Sequence, residues 1–204
     1  MRPIRHTLSA IQPILFSAAL CCLSSTVLHA ADKDLPPLHF SDVPALIEDF
    51  GDYSAENGTF RLVSTVPLRI QLSPMVVPGD LPENDAREIR RAALYGVYRT
   101  FVHTDAKAVK VIVVPKEVDL KTGKSHLRDK PSIEVTATRD QALKAVKKLI
   151  KANQFADLVQ PEQMGTIQLD NWRDDFETLY FKDAGQIDLL NAIKASGGDL
   201  VNNG

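Results

Sequence analysis

The chain is poor in cysteine, and its two cysteines, Cys21 and Cys22, both lie within the first thirty residues. A form that lacks those residues can make no disulfide, no thiolate metal site and no cysteine nucleophile. Its stability must therefore come from packing. About 174 of the 204 residues remain beyond position 30, which is long enough for one good hydrophobic core.

Sequence motifs for metal binding and catalysis are also missing. The histidines beyond position 30 are His39, His103 and His126, and no pair has the HxxxH or HExxH spacing of a zinc site. No serine lies in a GxSxG elbow, and no glycines form a phosphate-binding loop. We therefore predict no metal, no cofactor and no catalytic residue, and enzymatic activity has no support. The sequence shows no specific resemblance to a known family.

The first thirty residues have the pattern of a secretory signal peptide. A basic start is followed by an apolar stretch over residues 11–23 and by small residues at Ala30 and Ala31. A membrane anchor and a lipoprotein signal are the alternatives, but the apolar stretch is short for a bilayer and a leucine precedes Cys21. We interpret residues 1–30 as a cleaved signal peptide with no transmembrane segment after it, and predict a periplasmic or secreted bacterial protein.

Charge is distributed unevenly along the chain. Residues 31–115 carry 9 basic and 12 acidic side chains, residues 116–151 carry 10 and 5, and residues 152–204 carry 3 and 9. The basic middle can attract an anionic partner, or segments of opposite charge can pack on one another, which is the interpretation we prefer. Because no aromatic residues are interleaved with the basic ones, we predict no nucleic-acid binding.

Hydrophobic periodicity predicts strands and helices that follow an irregular segment over residues 31–59, which contains one short helix. Asp80 with Glu83, and Thr138 with Gln141, have the spacing of capping boxes at the starts of two helices. Strands are predicted at 68–72, 109–114, 132–138 and 166–169, and helices at 81–103, at 138–152 and from 183 to before 197.

This order of elements, β-α-β-β-α-β, predicts an α+β fold in which two helices cover one face of an antiparallel sheet, a two-layer sandwich. We expect the α+β core to span residues 60–170 and a helical C-terminal extension over 171–204 to pack on it. The strand at 109–114 conflicts with this topology, because it is apolar on both faces yet would lie at the sheet edge. Aromatic residues of the extension or a second subunit could cover it, or the strand could be central in another order. We prefer cover by the aromatic residues.

The leader, the missing motifs and the apolar strand favour a non-enzymatic protein-binding or assembly module of the bacterial envelope. Its partner would be another envelope protein or a second copy of the chain. The apolar strand, the aromatic cluster and the basic segment supply the candidate binding residues. They are Val111, Ile112, Trp172, Phe176, Tyr180, Lys121, Lys124, Arg128 and Lys130.

Two other functions stay open. Carboxylates cluster around Trp172, namely Asp170, Asp174, Asp175 and Glu177, and could serve a cofactor-free periplasmic hydrolase with the indole as a sugar platform. Adjacent carboxylates are, however, more often groups that complement a helix dipole. The lysines of the basic segment could instead bind a small ligand or an anionic polymer, with an affinity that falls with salt.

Overall fold

The computed structural model describes residues 35–204, so the predicted signal peptide lies outside the described residues. The fold is α+β, as predicted, and no helix within this range is long and apolar enough to cross a membrane. The helices are α1 (Val43–Phe50), α2 (Pro82–His103), α3 (Arg139–Val146), α4 (Asp174–Phe181) and α5 (Asp183–Lys194). The strands are β1 (Phe60–Thr65), β2 (Leu68–Leu72), β3 (Met75–Val76), β4 (Ala108–Val113), β5 (Lys116–Val118), β6 (Ser125–Leu127), β7 (Ser132–Thr138), β8 (Val159–Met164), β9 (Ile167–Trp172) and β10 (Asp199–Asn203).

The main sheet has five strands in the order β1-β2-β4-β7-β10. Strands β2 and β4 are parallel neighbours, with Ile70 beside Val111, and α2 connects them. The other pairs are antiparallel, with Val111 opposite Val135 between β4 and β7. A helix that connects adjacent parallel strands forms an ordinary βαβ unit.

Of the alternatives for the apolar strand at 109–114, a central position in another strand order is confirmed. The two parallel strands have no strand between them, so β4 is the central strand, which accounts for its strongly apolar sequence. The predicted strand at 166–169 belongs to β9, which pairs with β8 in a hairpin apart from the main sheet. The C-terminal strand β10 takes the place beside β7, so residues 171–204 supply a strand of the sheet as well as helices.

Helix α2 covers the buried face of β4. Val109, Val111 and Val113 are buried, whereas Ile112 is half-buried on the open face of the sheet. A Cβ atom at Gly96 of α2 would lie 2.6 Å from Cγ1 of Val111, so the helix and the strand pack closely. The expected cover by the aromatic residues 172–181 is therefore corrected, because α2 occupies that position.

Capping boxes were predicted at the starts of α2 and α3. At α3 the capping box is confirmed: the Thr138 hydroxyl accepts from the Gln141 amide at 3.2 Å, and the Gln141 side chain accepts from the Thr138 amide at 2.9 Å. At α2 the prediction was wrong, because Leu81 is the N-cap and makes no side-chain cap bond. The Asp80 carboxylate instead accepts from the Leu81 amide at 2.7 Å.

The segment over residues 31–59, described from Leu35, packs on the core in spite of its irregular sequence. The Asp42 carboxylate accepts from the Ala45 amide at 3.0 Å and caps α1. The backbone amide of Phe40 donates to the carbonyl of His103 at the end of α2, at 2.8 Å. The second contact holds the segment before α1 beside the end of α2.

Strands β3, β5 and β6 form a small second sheet. Hairpin β5–β6 is the first part of the basic segment over residues 116–151. Gly123 at its turn has a φ of 68°, in the left-handed region that glycine adopts readily. Met75 of β3 is the parallel neighbour of Lys116 in β5. The hairpin thus begins next to the end of the main sheet.

Candidate binding site

A cleft of about 730 Å³ opens beside α2. Its walls are the loop after α1, the segment from Ser73 to Met75 that follows β2, the end of β9 and helix α4. Aromatic, carboxylate, amide and guanidinium groups line it together. Most of its lining residues are polar or charged. Because convergent polar groups beside aromatic rings can orient a bound molecule, this cleft is the candidate functional site.

Helix α2 contributes a row of side chains at four-residue spacing, Arg91, Tyr95, Arg99 and His103. Residues four apart lie on the same side of a helix. The first three line the cleft, and His103 is completely buried at the end of the row. The spacing of α2 therefore concentrates polar groups along one buried stripe.

Arg99 lies between two aromatic rings. Its guanidinium carbon is 3.8 Å from the ring centroid of Trp172 and 4.4 Å from that of Phe50, a double cation–π arrangement. Nη1 donates to the Asp170 carbonyl at 2.7 Å, whereas Nε is buried with no hydrogen-bond partner among residues 35–204. Burial lowers the pKa of Arg99 from its usual value, but an arginine in a protein stays charged.

His103 lies next to Arg99 at the inner end of the row on α2. Its Nδ1 lies 2.9 Å from the Leu38 carbonyl and its Nε2 lies 3.2 Å from Nη1 of Arg99. The neutral tautomer with a proton on Nδ1 satisfies both contacts, because Nε2 can then accept from the guanidinium. Burial lowers the pKa of His103 to about 4, and the Arg99 charge also lowers it.

Three tyrosines, Tyr53, Tyr95 and Tyr180, place hydroxyl groups around the cleft. Burial raises the pKa of each, and the negative charge of Asp52 raises all three further. The rings of Tyr53 and Tyr95 meet edge to face at 5.1 Å between centroids. Among the described residues the buried Tyr95 hydroxyl has no hydrogen-bond partner within 3.5 Å, and the Asp52 carboxylate lies near enough to raise its pKa.

The rim of the cleft is acidic. Asp52, Glu88, Asp174 and Glu177 line it, against the two cations Arg91 and Arg99. Glu88 forms an ion pair with Arg91, whereas the other three carboxylates have no ion-pair partner within the described range. The lining therefore has an excess of two negative charges.

The predicted apolar binding residues have different positions. Val111 and Phe176 are completely buried in the core of the chain, so neither is accessible to a partner in this structure. Trp172 and Tyr180 are 8% and 7% exposed, and both line the cleft. Ile112 lies on the open face of the sheet, away from the others. The predicted aromatic cluster is real, but it is mainly core.

The four carboxylates suggested for a hydrolase do not meet at one point. The buried Asp170 accepts from the Leu38 amide at 2.6 Å, and Asp175 pairs with Arg173 at 2.7 Å. Only Asp174 and Glu177 line the cleft. Arg99 covers one face of the Trp172 indole, so the ring is not an open stacking platform.

The predicted basic residues also separate. Lys121 and Lys124 are exposed near the tip of hairpin β5–β6. Arg128 instead pairs with Asp85 at 2.7 Å, and Nζ of Lys130 donates to the Gly204 carbonyl at 3.0 Å. Two of the four side chains thus have partners within the chain.

Tyr95 and Arg99, at the centre of the cleft, were not predicted as binding residues from the sequence. A signal for them was present in the four-residue repeat of α2, which sets them beside the apolar stripe. The loop residues Asp52 and Tyr53 had no comparable signal, because the packing of α1 brings them to α2.

Comparisons with protein-family models, with curated proteins and with solved structures found no match. Over residues 35–204 no group of three histidine, cysteine, aspartate or glutamate side chains is arranged to hold a metal ion. The chemistry of the cleft is therefore the basis on which function is inferred.

Proposed function

We propose that this protein is a non-enzymatic binding module of a bacterial envelope, exported to the periplasm or secreted, which binds a protein partner through the cleft beside α2. The sequence of residues 1–30 supports the export part of the proposal. The polar and aromatic chemistry of the cleft supports the binding part.

The observation that carries the proposal is the lining of the cleft, which brings Tyr95, Arg99 and Trp172 together beside rim carboxylates that have no ion-pair partner among residues 35–204. Arginine, tyrosine and tryptophan are also the residues that dominate binding energy at protein interfaces.

A hydrolase that uses Asp174 and Glu177 receives less support. Within residues 35–204 the cleft lining contains no histidine, so general acid and base roles would fall on these two carboxylates, both of which are exposed to solvent. Among the same residues, nothing in the lining holds either carboxylate against a second catalytic group.

Site-specific photo-crosslinking in intact cells tests the proposal. A photoreactive amino acid at Asn171, an exposed residue of the cleft, is compared with the same group at Lys144, an exposed residue of α3. We expect a covalent protein adduct only from position 171. The adduct should disappear with Glu177→Lys, which reverses a rim charge without entering the core. Recovery of uncrosslinked chain alone from position 171, with the protein folded and exported, would overturn the proposal.

A further inference from the structure

The cleft and hairpin β5–β6 lie side by side on one surface. Pro74 and Met75 form part of the cleft wall, and Met75 pairs with Lys116, the first residue of the hairpin. Nζ of Lys116 donates to the carbonyl of Asn57, in the loop that borders the cleft. The hairpin therefore projects from the edge of the cleft.

The rim of the cleft and the tip of hairpin β5–β6 have opposite charge. Asp52, Asp174 and Glu177 on the rim have no ion-pair partner in the described part of the chain, and neither do Lys121 and Lys124 near the hairpin tip. Leu120, between the two strands of the hairpin, is 78% exposed. Leu120 lies between Asp119 and Lys121, and residues 119–124 carry two lysines against one carboxylate, a net charge of +1. This combination suits a cleft with aromatic walls and carboxylates.

A surface that carries a negative cleft next to a positive projection is complementary to itself. In a two-fold dimer the same patch is used on both subunits, so each projection can enter the other subunit's cleft. The opposite charges of the two chain segments then meet between copies, since the hairpin tip and the acidic rim make no ion pair within residues 35–204 of one copy.

We infer that the partner of the cleft is a second copy of this chain, which inserts the tip of its hairpin β5–β6, with Leu120, Lys121 and Lys124, between the acidic rim and the aromatic wall. This inference rests on the proposed function of the cleft and names its occupant. The association is electrostatic at the rim, so it weakens as salt is raised.

Charge reversal with restoration tests the inference, measured by sedimentation velocity over a range of concentrations at low salt. The protein is purified as the cell processes it. Two variants reverse the charges of one side of the contact: Lys121→Glu with Lys124→Glu on the hairpin, and Asp174→Lys with Glu177→Lys on the rim. Each should raise the dimer dissociation constant about tenfold or more. All four substitutions together should restore association. Lys144→Glu with Lys147→Glu on α3 makes the same charge change away from the surface and should have no effect.

A chain that sediments as a monomer at every concentration, or reversals no stronger than the α3 control, would overturn the inference. The substituted side chains are all exposed, and a thermal unfolding curve like that of the wild type confirms that each variant is folded. The crosslink from position 171 separates this failure from failure of the proposed function. An adduct joined to a hairpin peptide of a second copy supports self-association, whereas an adduct with a different protein supports only the binding function.

Discussion

Two stripes along α2 are both buried, but they differ in chemistry. The stripe that faces the sheet contains Ile89, Ala93 and Gly96, and it packs closely on the sheet. The stripe beside it contains Tyr95 and Arg99 and lines the cleft, with polar atoms that lack partners. The first stripe stabilises the fold through packing, whereas the second retains groups whose hydrogen bonds the fold leaves incomplete.

The largest loss of stability is expected from a substitution in β4 where the sheet-facing stripe packs on it. Val111→Lys should lower the free energy of unfolding by about 3–5 kcal/mol, because it puts an unpaired charge in the core. Ile112→Lys is the matched change on the open face, where the new cation lies opposite Glu134, and should cost about 1 kcal/mol or less. Urea unfolding measures the free energy of unfolding of both variants. Equal losses would contradict the claim that one face of β4 is buried in the core and the other is open.

We expect the free energy of unfolding to depend on pH because of His103, at the inner end of the cleft-facing stripe. The pKa of His103 falls from 6.5 in the unfolded chain to about 4 in the folded chain, so its contribution is fully present above pH 6.5 and is lost as pH falls towards 4. The loss amounts to about 3 kcal/mol. Protonation puts a second donor, Nε2–H, against the Arg99 guanidinium.

Urea unfolding at a series of pH values between 4 and 7 measures this loss. The control is His103→Gln, which keeps a polar side chain without a group that titrates in this range. Its stability should vary less over the same window than that of the wild type. Identical pH profiles would assign the loss to other groups.

A smaller effect is expected from Gly96→Ala. A helix interior gains about 1 kcal/mol from alanine, but the new Cβ would lie 2.6 Å and 2.9 Å from the two methyl carbons of Val111. Overpacking of this kind costs about 1–3 kcal/mol, so we expect a net loss. In a Val111→Ala background the same substitution should be neutral or stabilising, and a loss unchanged by that background would contradict the close packing.

The buried faces of α2 and of the strands of the main sheet were predictable from sequence, whereas the order of the strands was not. Alternation and β-branched runs located β2, β4 and β7, because the burial of one face leaves a period of two. The polar hairpin β8–β9 and strand β10 had weak patterns. Sequence periodicity reports which face of an element is buried, but not which strand is its neighbour.

The cleft was only partly predictable. Trp172, Tyr180, Asp174 and Glu177 belonged to the predicted aromatic and acidic clusters. Arg99 did not, because a charged residue beside an apolar stripe usually predicts a solvated position. Its burial results from the aromatic rings of Phe50 and Trp172, which are far from it in sequence.

Two tyrosines one turn apart on α2 test most directly the claim that the cleft-facing stripe serves binding rather than folding. The Tyr98 hydroxyl donates to the Ala142 carbonyl at 3.2 Å, whereas the Tyr95 hydroxyl has no partner among residues 35–204. The measurement is the free energy of unfolding of Tyr95→Phe and of Tyr98→Phe in urea. Tyr98→Phe should lose about 1 kcal/mol, and Tyr95→Phe should equal or exceed the wild type, because it removes a buried hydroxyl that makes no hydrogen bond. A loss for Tyr95→Phe as large as that for Tyr98→Phe would contradict the account.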